Sequence, residues 1–506
     1  MRKKIYTLVE LEKIIFLLKK DKKIIALCHG VFDLLHPGHI YHFEQAKKKS
    51  DILVVSITAD KQVLKGPGKP YFKEKLRLHT LASLEIIDYV VLSNQQSAVN
   101  VIKKIKPHFY VKGSDYKKSK DDITKKIDLE KNEVKKHGGK ILFTQGQTFS
   151  SSKIINNEFF YNKEQSEFLK KIKKKYSSKS IINSLDKLNE NIPLVVGETI
   201  IDDYVFCKAI GKSGKESYMV MQEKKSEKYL GGVLSIAQNL ASLSKNVNLL
   251  TEVGSVDSYK KKIERELKNN INFKFIVRKN IPTIVKKRFI EEVDNTKLLG
   301  IYNVTERENS NTEEKLLIKK FKNLIINSDL VIIADYGHGF FSKKLRDEIY
   351  KHNKFLAVNA QVNAFSAGYH TIVDYKKADL VLMNETELRQ ELRDKNSHRS
   401  DLIKKLEKII KCKFIAVTHG KNGATIYSTK TKEVVLVPAF ARQVIDKVGA
   451  GDALFPVLAT CLKSKIPMDI ALFIASISAA INAENYASKS ILNKIYFKKF
   501  LEHALK

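Results

Sequence analysis

The chain has 506 residues, 43% of them hydrophobic and 9% aromatic, which is enough for two or three domains with cores of their own. Its formal net charge is +35. The excess consists of lysines spread through every segment, so we expect a solvated surface that favours anionic substrates and no nucleic-acid binding. The four cysteines lack the spacing of a zinc site or a disulfide framework and indicate a reducing cytoplasm.

The N-terminus is basic, but it does not have the pattern of a signal peptide. Thr7-Leu8-Val9-Glu10 is a capping box, and the apolar residues after it recur at helical spacing between charged ones. This pattern predicts an amphipathic helix. No run in the chain approaches about 18 uncharged apolar residues, so we expect no membrane span.

A strand-to-helix turn organises the first part of the chain. The apolar run 24–28 leads into Gly30-Val31-Phe32-Asp33, and His36-Pro37-Gly38-His39 then opens a helical pattern. Two imidazoles three residues apart at a helix start can face one anion while the free N–H groups hold its oxygens. A lone His-x-x-His can also be a helix cap. With the strand and Gly-x-Phe-Asp before it, the turn predicts a triphosphate site with contacts from Gly30, Phe32, Gly38 and catalytic His36 and His39.

Residues 24–161 alternate short apolar strands with helical stretches, which predicts an α/β fold with a doubly wound parallel sheet. The strand candidates are Leu53–Ile57, Tyr89–Leu92, Phe109–Val111 and Lys140–Leu142. Ligands of such sheets bind beyond the carboxyl ends of the strands. The loop Lys112-Gly113-Ser114-Asp115-Tyr116 falls there, and the hydroxyl-rich segment 147–155 follows the last strand.

A polar, lysine-rich segment at 162–190 predicts a partly helical linker between a domain at 1–161 and a domain at 191–506. The second domain has an α/β pattern of its own. Its strand candidates are Leu194–Val196, Leu330–Ala334, Phe355–Val358, Leu380–Met383 and Phe414–Thr418. The sequence therefore predicts two doubly wound domains joined by residues 162–190.

The main motif of the second domain is Asp446-Lys447-Val448-Gly449-Ala450-Gly451-Asp452. Its backbone N–H groups at Gly449, Ala450 and Gly451 can form an anion hole for a phosphoryl group in transfer, and Asp452 lies within reach of an acceptor hydroxyl. A plain capped turn has the same sequence pattern. Four companion motifs favour the catalytic interpretation, and they are Gly231-Gly232, Asp335-Tyr336-Gly337, Asn384-Glu385-Thr386-Glu387 and 418–423.

The motifs of the first domain resemble those of the cytidylyltransferase-like nucleotidyltransferases. The resemblance rests on His-x-Gly-His at 36–39, the loop 112–116 and the serine-rich helix start at 150–152, in that order. Basic residues of the family also have counterparts here. The nucleotide contacts that the resemblance implies are Lys65, Arg77, Lys112, Asp115, Ser150, Ser151 and Ser152.

Residues 191–506 resemble the ribokinase-like (PfkB) sugar kinases. By that resemblance Asp452 is the base, Asn384 and Glu387 organise Mg²⁺ and phosphates through water, and ATP lies near Gly420 and Gly423. The segment 282–288 resembles the heptose-phosphate kinase branch, whose basic residues would suit a substrate that bears a phosphate. The implied sugar contacts are Asp202, Gly231, Gly232, Ser235, Lys286 and Arg288.

Four positions depart from the kinase pattern. Ser235 replaces an Asn, Asn359 an Asp, Glu198 an early Asp and Lys447 a Thr. These changes affect the sugar side and the phosphate rim more than Asp452, so we expect an active kinase with an altered substrate. The strand-rich segments 204–229 and 283–302 predict a small lid sheet, of the sort that pairs two subunits into a homodimer.

Together the halves resemble bifunctional enzymes that phosphorylate heptose 7-phosphate at carbon 1 and then adenylylate the product to ADP-heptose, here with the domain order reversed. The expected substrates are a sugar phosphate, ATP and Mg²⁺, and the expected product is an NDP-sugar for surface glycan. Two alternatives stay open. One is a CTP-dependent cytidylyltransferase fused to a kinase for another phosphorylated sugar or polyol, and the other is a sugar sensor with an inactive kinase half.

Overall fold

The computed structural model describes residues 3–63, 70–113, 126–144, 161–293, 295–305, 307–363, 365–486 and 491–505. The chain divides into two compact units. One comprises residues 1–161 with 502–504 and 506, and the other comprises 162–501 with 505. Among the described residues, no helix combines the length and the apolar character that a bilayer crossing requires.

The described part of the first unit contains a six-stranded parallel sheet with the order β1-β4-β3-β2-β5-β6. Because β2 lies between β3 and β5, the ends of β2 and β5 are adjacent at the switch point, where doubly wound sheets bind ligands. The strands are β1 (Ile5–Tyr6), β2 (Ile25–Gly30), β3 (Ile52–Thr58), β4 (Tyr89–Ser93), β5 (Phe109–Gly113) and β6 (Lys140–Thr144). The helices are α1 (Leu8–Lys20), α2 (Pro37–Lys47), α3 (Glu74–Ala82), α4 (Val99–Ile105) and α5 (Lys126–Lys136).

The sheet of the first unit is covered on both faces. Leu27 and Val54 pack in one apolar cluster, whereas their chain neighbours Cys28 and Val55 pack in another. Alternate strand residues point to opposite faces, so two covered faces require the near-continuous apolar runs seen in the sequence. The predicted doubly wound sheet is confirmed, and Thr7 forms the predicted capping box with Glu10 at the start of α1.

The second unit contains a nine-stranded sheet, with the order β11-β10-β7-β14-β15-β16-β17-β18-β19, and a four-stranded sheet, with the order β13-β12-β8-β9. The larger sheet is parallel from β11 to β17, and β18 and β19 extend it in antiparallel pairing. The smaller sheet is the predicted lid. The strands are β7 (Pro193–Gly197), β8 (Thr199–Lys212), β9 (Met219–Gly232), β10 (Val247–Val256), β11 (Ile271–Pro282), β12 (Ile284–Glu291), β13 (Lys297–Asn303), β14 (Leu330–Asp335), β15 (Phe355–Ala360), β16 (Lys377–Asn384), β17 (Lys411–Thr418), β18 (Ala424–Ser428) and β19 (Val434–Val437).

The segment expected to link the domains forms two capped helices, α6 (Lys163–Lys175) and α7 (Ser178–Leu188), and groups with the second unit. Its few apolar residues have helical spacing and are buried, among them Leu169, Ile172 and Leu185. The segment is therefore a packed part of the second unit. The remaining helices are α8 (Val233–Leu240), α9 (Lys260–Glu266), α10 (Asn311–Ile325), α11 (Lys343–Tyr350), α12 (Glu385–Glu391), α13 (Arg399–Ile409), α14 (Ala450–Lys463), α15 (Met468–Ala483) and α16 (Lys494–Ala504).

Candidate active sites

The two histidines of the first unit lie together at the start of α2. Their rings stack with centroids 3.9 Å apart and planes 20° apart. His36 is the N-cap residue, and Pro37 occupies the first helical turn, where its lack of an N–H group has no cost. This end of α2 therefore presents two imidazoles and the positive end of the helix dipole to the same space. The arrangement suits the phosphates of a nucleotide.

Phe32 and Gly30 shape the approach to His39. Phe32 adopts a left-handed backbone conformation with φ of +46°, and its ring meets the His39 ring edge-on at 5.4 Å. A Cβ on Gly30 would lie 3.1 Å from the Phe32 ring. A larger residue at position 30 would therefore displace the ring that orients His39.

Arg77, expected to contact the nucleotide, is 1% exposed and is used inside the first unit. Its guanidinium donates to the carbonyls of Val31, Thr58 and Phe72 at 2.6 to 2.9 Å and to Asp60 at 2.7 Å. Val31 belongs to the turn between Gly30 and His36. In this structure Arg77 thus positions the turn that carries the histidines.

Lys112 is the second-to-last residue of β5, next to the end of β2, where a nucleotide contact is expected. Its ammonium lies 3.2 Å from the carboxylate of Glu130 and 5.2 Å from the centre of the Tyr110 ring. Glu130 also accepts hydrogen bonds from Ala98 N–H and the Tyr110 hydroxyl at 2.8 Å each. Burial alone would raise the pKa of Glu130, but the Lys112 charge and these hydrogen bonds outweigh burial and lower it.

Several expected contacts of the first unit lie outside the residues that the structure describes. Their roles stay predictions. They are Lys65, Asp115, Ser150, Ser151 and Ser152.

In the second unit, Asp452 lies in the first turn of α14 behind the glycine-rich turn. Gly449 is the N-cap residue and has a left-handed φ of +82°. A Cβ on Gly451 would meet no atom outside its own turn within 4 Å, so the side-chain position of Gly451 borders open space. A phosphoryl group there would accept hydrogen bonds from the backbone of Gly449, Ala450 and Gly451.

The environment of Asp452 suits a general base. Burial raises its pKa to about 6, and the charge of Asp202 adds to the rise, whereas a hydrogen bond from Tyr336 and the charge of Lys286 oppose it. The Tyr336 hydroxyl donates to Asp452 Oδ1 over 3.1 Å. A carboxylate with a pKa near 6 is ionised at neutral pH, yet accepts a proton more readily than an exposed aspartate does.

Tyr336 belongs to a turn after β14 that a buried carboxylate holds in place. Glu198 is fully buried and accepts hydrogen bonds from the backbone N–H groups of Tyr336 at 3.0 Å and His338 at 3.1 Å. Burial, with the charges of Asp335 and Glu252, raises the pKa of Glu198 well above its usual value. Glu198, one of the departures from the kinase pattern, thus positions the turn whose tyrosine contacts Asp452.

The expected sugar contacts of the lid meet around Asp202. Asp202 on β8 forms an ion pair with Arg288 on β12 and is aligned with Lys286 of that strand. Gly231 on β9 is needed here because a Cβ would collide with the Asp202 carboxylate. Gly232 follows with φ of +53°, which admits the turn into α8.

Lys286 is directed from the lid toward the Asp452 turn. Its ammonium lies 5.7 Å from the ring centres of both Tyr302 and Tyr336. Burial lowers its pKa, whereas the carboxylates of Asp202 and Asp452 act in the opposite direction. Lys286 thus adds a positive charge to this part of the site, where Arg288 is already paired with Asp202.

Lid residues also contact the chain just before the glycine turn. Asp446, three residues before Gly449, accepts from the Lys297 ammonium on β13 at 2.5 Å, the Tyr204 hydroxyl on β8 at 2.7 Å and the Val448 N–H at 2.9 Å. Sequence reasoning gave Asp446 and Lys297 no role, because the pair joins positions 149 residues apart. The opposite charges of Asp446 and Lys297 are the one feature of the sequence that is consistent with this ion pair.

Asn384 and Glu387, expected at a Mg²⁺ site, form the capping box of α12. Each side chain accepts from the other residue's backbone N–H at 2.8 Å. Burial raises the pKa of Glu387 to about 7, and the charge of Asp452 contributes. Among the residues that the structure describes, no group of three or more histidine, cysteine, aspartate or glutamate side chains could hold a metal directly. The oxygens of Asn384 and Glu387 suit Mg²⁺ that keeps its water ligands.

The expected adenine region follows β17. Gly420 and Gly423 both have positive φ, +58° and +87°, and a Cβ on Gly423 would collide with the carbonyl of Val437. His419 lies just before them, 3.1 Å from Glu385 and 2.9 Å from Thr425. Burial lowers the pKa of His419 to about 4, so this ring is neutral at physiological pH.

Two other residues that depart from the kinase pattern, Ser235 and Asn359, are buried in the second unit. Ser235 is buried in the first turn of α8, directly after the paired glycines. Asn359 is buried on β15, where its amide donates to the Leu382 carbonyl over 2.8 Å. Asn359 therefore ties two strands together at the carboxyl edge of the sheet.

Two family models match the chain. The model for pfkB family carbohydrate kinases matches residues 193–494, and the cytidylyltransferase-like model matches residues 27–157. The nucleotidyltransferase therefore comes first and the kinase second. The sequence analysis expected this domain order to be reversed relative to similar bifunctional enzymes. That expectation is inaccurate, because the family matches establish only that the nucleotidyltransferase precedes the kinase in this chain.

The curated relatives include two proteins named bifunctional protein HldE. That of Campylobacter jejuni (strain RM1221) is 27% identical over 312 residues, which is 61% of this chain and 64% of the relative. That of Aliarcobacter butzleri is 40% identical over 155 residues, which is 30% of this chain and 32% of the relative. Each alignment thus spans less than two thirds of the relative's length.

Solved structures share the fold of the second unit's family. A ribokinase from Thermotoga maritima has a TM-score of 0.50 and 18% identity and covers 62% of this chain and 99% of its own. Phosphofructokinase-2 from Escherichia coli, in complex with potassium, has a TM-score of 0.50 and 14% identity with the same coverage. At such identities these likenesses concern the fold alone. The pfkB match covers more than half of the 506 residues, and the chain belongs to the pfkB family of carbohydrate kinases.

Proposed function

We propose that the chain is a bifunctional transferase that converts a sugar phosphate to an NDP-sugar, ADP-heptose or a close analogue, for surface glycan. Its second unit phosphorylates the sugar, and its first unit adenylylates the product. The observation that carries the proposal is the position of Asp452, which has a raised pKa beside a glycine-rich helix start and faces cationic lid residues.

In the kinase step, Asp452 removes the proton of the acceptor hydroxyl as its oxygen attacks the γ-phosphorus of ATP. The bond between the γ-phosphorus and the bridging oxygen breaks, and ADP leaves. Backbone N–H groups at 449–451 stabilise the charge on the transferred group. Mg²⁺ near Glu387 would neutralise the triphosphate charge. Lys286 and Arg288 hold the phosphate that the acceptor already bears.

In the second step, an oxygen of the sugar 1-phosphate attacks the α-phosphorus of ATP, and pyrophosphate leaves. His36 and His39 stabilise the departing phosphates at the start of α2, where the helix dipole adds positive potential. No covalent intermediate with the protein is needed. Positioning and fixed positive charge supply the catalysis.

The choice of ADP-heptose rests on the HldE relatives and on the Pro282–Arg288 motif, whose Lys286 and Arg288 line the lid. We further propose a cytoplasmic enzyme that forms a homodimer through the lid. Exposed apolar side chains on the lid strands support this pairing, among them Ile210, Met219, Leu299 and Ile301 at 53% to 65% exposure.

The test is incubation of the full chain with Mg²⁺, ATP or CTP, and a panel of pentose, hexose and heptose phosphates, followed by mass spectrometry. We expect ADP-heptose with ATP and heptose 7-phosphate. A CDP-linked product would replace the adenylyl assignment, and absence of any phosphorylated sugar would overturn the kinase assignment.

The domain assignment has its own test. We propose that residues 1–161 and 162–506 act as separate modules, with the second fragment beginning at 162 because α6 and α7 pack in the second unit. The first fragment should make NDP-sugar from sugar 1-phosphate, and the second should make sugar phosphate. Loss of either activity in a folded fragment would contradict the modular arrangement.

A further inference from the structure

An ion pair joins the lid sheet to the chain that leads into the glycine-rich turn of the kinase site. Lys297 begins β13, which lies at one end of the lid sheet, and its ammonium lies 2.5 Å from Asp446 Oδ1. The Asp446 side chain is 1% exposed, whereas that of Lys297 is 39% exposed. The lysine thus reaches inward from the surface to a carboxylate that has almost no contact with solvent.

Asp446 fixes the backbone just before the glycine turn. Its Oδ1 accepts from the Val448 N–H over 2.9 Å, and the N–H groups of Ile445 and Asp446 donate to the Ala483 carbonyl. Val448 directly precedes Gly449, the N-cap residue of α14, which has a left-handed φ of +82°. An aspartate that accepts from the N–H two residues ahead closes an Asx turn. The position of the Asp446 carboxylate therefore helps to set the direction of the N–H groups in the glycine turn.

The charge of Asp446 requires a cation beside it. Burial alone would raise the pKa of Asp446, but hydrogen bonds from Lys297, the Val448 N–H and the Tyr204 hydroxyl outweigh burial and lower it. Asp446 is therefore ionised at neutral pH. An ionised carboxylate three residues before Gly449 opposes the negative charge of a phosphoryl group at the glycine turn. Lys297 supplies a full positive charge against it, whereas the other two donors are neutral.

The lid strands that contact Asp446 belong to the same sheet as the expected sugar contacts. Asp202 and Tyr204 are two residues apart on β8, so their side chains point to the same face of the strand. Arg288 on β12 forms the ion pair with Asp202, and its Cζ lies 5.6 Å from the centre of the Tyr204 ring. The Tyr204 hydroxyl donates to Asp446 Oδ2 over 2.7 Å. A continuous chain of contacts thus runs from the sugar side of the lid to Asp446.

We propose that Lys297 is a positioning residue of the kinase, whose ammonium neutralises Asp446 and holds the glycine turn in the form that accepts the transferred phosphoryl group. The role rests on the proposed kinase function and makes the lid a part of the phosphoryl-transfer step. Lys297 acts through Asp446, so its loss should lower kcat and leave the KM values for ATP and the sugar phosphate nearly unchanged.

The test measures ADP release by the full chain with ATP and heptose 7-phosphate. Lys297→Met keeps the length of the side chain without its charge, and Lys297→Arg keeps the charge. Lys297→Ala removes the charge and leaves space beside Asp446 that an ammonium ion can fill. Ammonium chloride is therefore added to each variant, and bulky tetramethylammonium chloride at the same concentration controls for ionic strength. Lys463→Met, which breaks the ion pair with Asp329 in the same unit, is the matched control. Thermal unfolding checks that each variant is folded.

We expect Lys297→Met and Lys297→Ala to lower kcat about tenfold, with KM values within about twofold of those of the unaltered chain. Lys297→Arg and Lys463→Met should keep most of the activity. Ammonium chloride should restore kcat several-fold in Lys297→Ala but not in Lys297→Met, whose side chain fills the space. An unchanged kcat in folded Lys297→Met, or a loss in Lys297→Ala that ammonium chloride does not reverse, would overturn the role of Lys297. No ADP release by the unaltered chain would instead overturn the proposed kinase function, on which this role rests.

Discussion

Replacing Asp452 with asparagine should abolish sugar phosphorylation and leave nucleotidyl transfer intact. The substitution keeps the shape and the hydrogen bond from Tyr336, but it removes the group that accepts the proton. Losing a general base typically costs about 100- to 10,000-fold in rate. Release of ADP with a sugar phosphate measures the first activity, and release of pyrophosphate from supplied sugar 1-phosphate measures the second.

The pH profile gives an independent measure of the same group. Burial holds the pKa of Asp452 at about 6, and the base acts in its deprotonated form. The kcat/KM for phosphorylation should therefore rise with pH through about 6 and level off above it. At pH 5, one unit below this pKa, about one molecule in ten carries the ionised base, so the rate should be about tenfold below the plateau.

Asp329→Asn is the matched control, because it removes an aspartate of the same unit that pairs with Lys463. It should leave both activities and the pH profile unchanged. Near-normal ADP release by a folded Asp452→Asn variant would refute the assignment of the base. If the rate of the slow variant still rises with pH near 6, the titrating group is not Asp452. Glu387, whose pKa is raised to about 7, is then the candidate with the closest pKa.

Three further changes test the positions of individual side chains. His39→Ala should raise the activation barrier for pyrophosphate release by about 3 kcal/mol and leave ADP release unchanged. His79→Ala, at an exposed histidine, is the control. Equal losses of both activities in His39→Ala would contradict the prediction. Arg77→Met should lower the free energy of unfolding of the first unit by roughly 3 kcal/mol, because four hydrogen bonds are lost. Unchanged denaturant unfolding with a raised KM for ATP would instead favour the nucleotide contact that the sequence predicts for Arg77. Lys297→Met should lower kcat for phosphorylation about tenfold, because Asp446 loses its partner on the lid. The free energy of unfolding should stay the same. An unchanged kcat would show that the pair of Lys297 and Asp446 has no part in turnover.

The sequence could predict the fold because the sheet of the first unit, and the larger sheet of the second unit from β11 to β17, are parallel and have buried strands. Their strands therefore appear as short apolar runs, such as Leu194–Val196 and Leu330–Ala334, separated by helical stretches. Strand ends follow directly from these runs. The edge at which ligands bind was thus predictable, and the glycine turns before α2 and α14 could be located on it.

The direction of a side chain at that edge could not be predicted. Arg77 and Lys112 have the positions that a nucleotide site requires, yet Arg77 donates to backbone carbonyls and Lys112 pairs with Glu130. Each choice depends on a partner elsewhere in the chain, which no local pattern reveals. The same holds for Lys297 with Asp446, where the sequence offers only two opposite charges.

The departures from the kinase pattern take on a different meaning in the structure. Glu198 and Asn359 are among the departures expected to affect the sugar side and the phosphate rim. Both are buried and bonded to backbone groups, which makes them supports of the carboxyl edge. Such residues change how the edge is held and leave few atoms free to select a substrate. Changes at Glu198 and Asn359 are therefore expected to lower stability before they alter selectivity for the sugar.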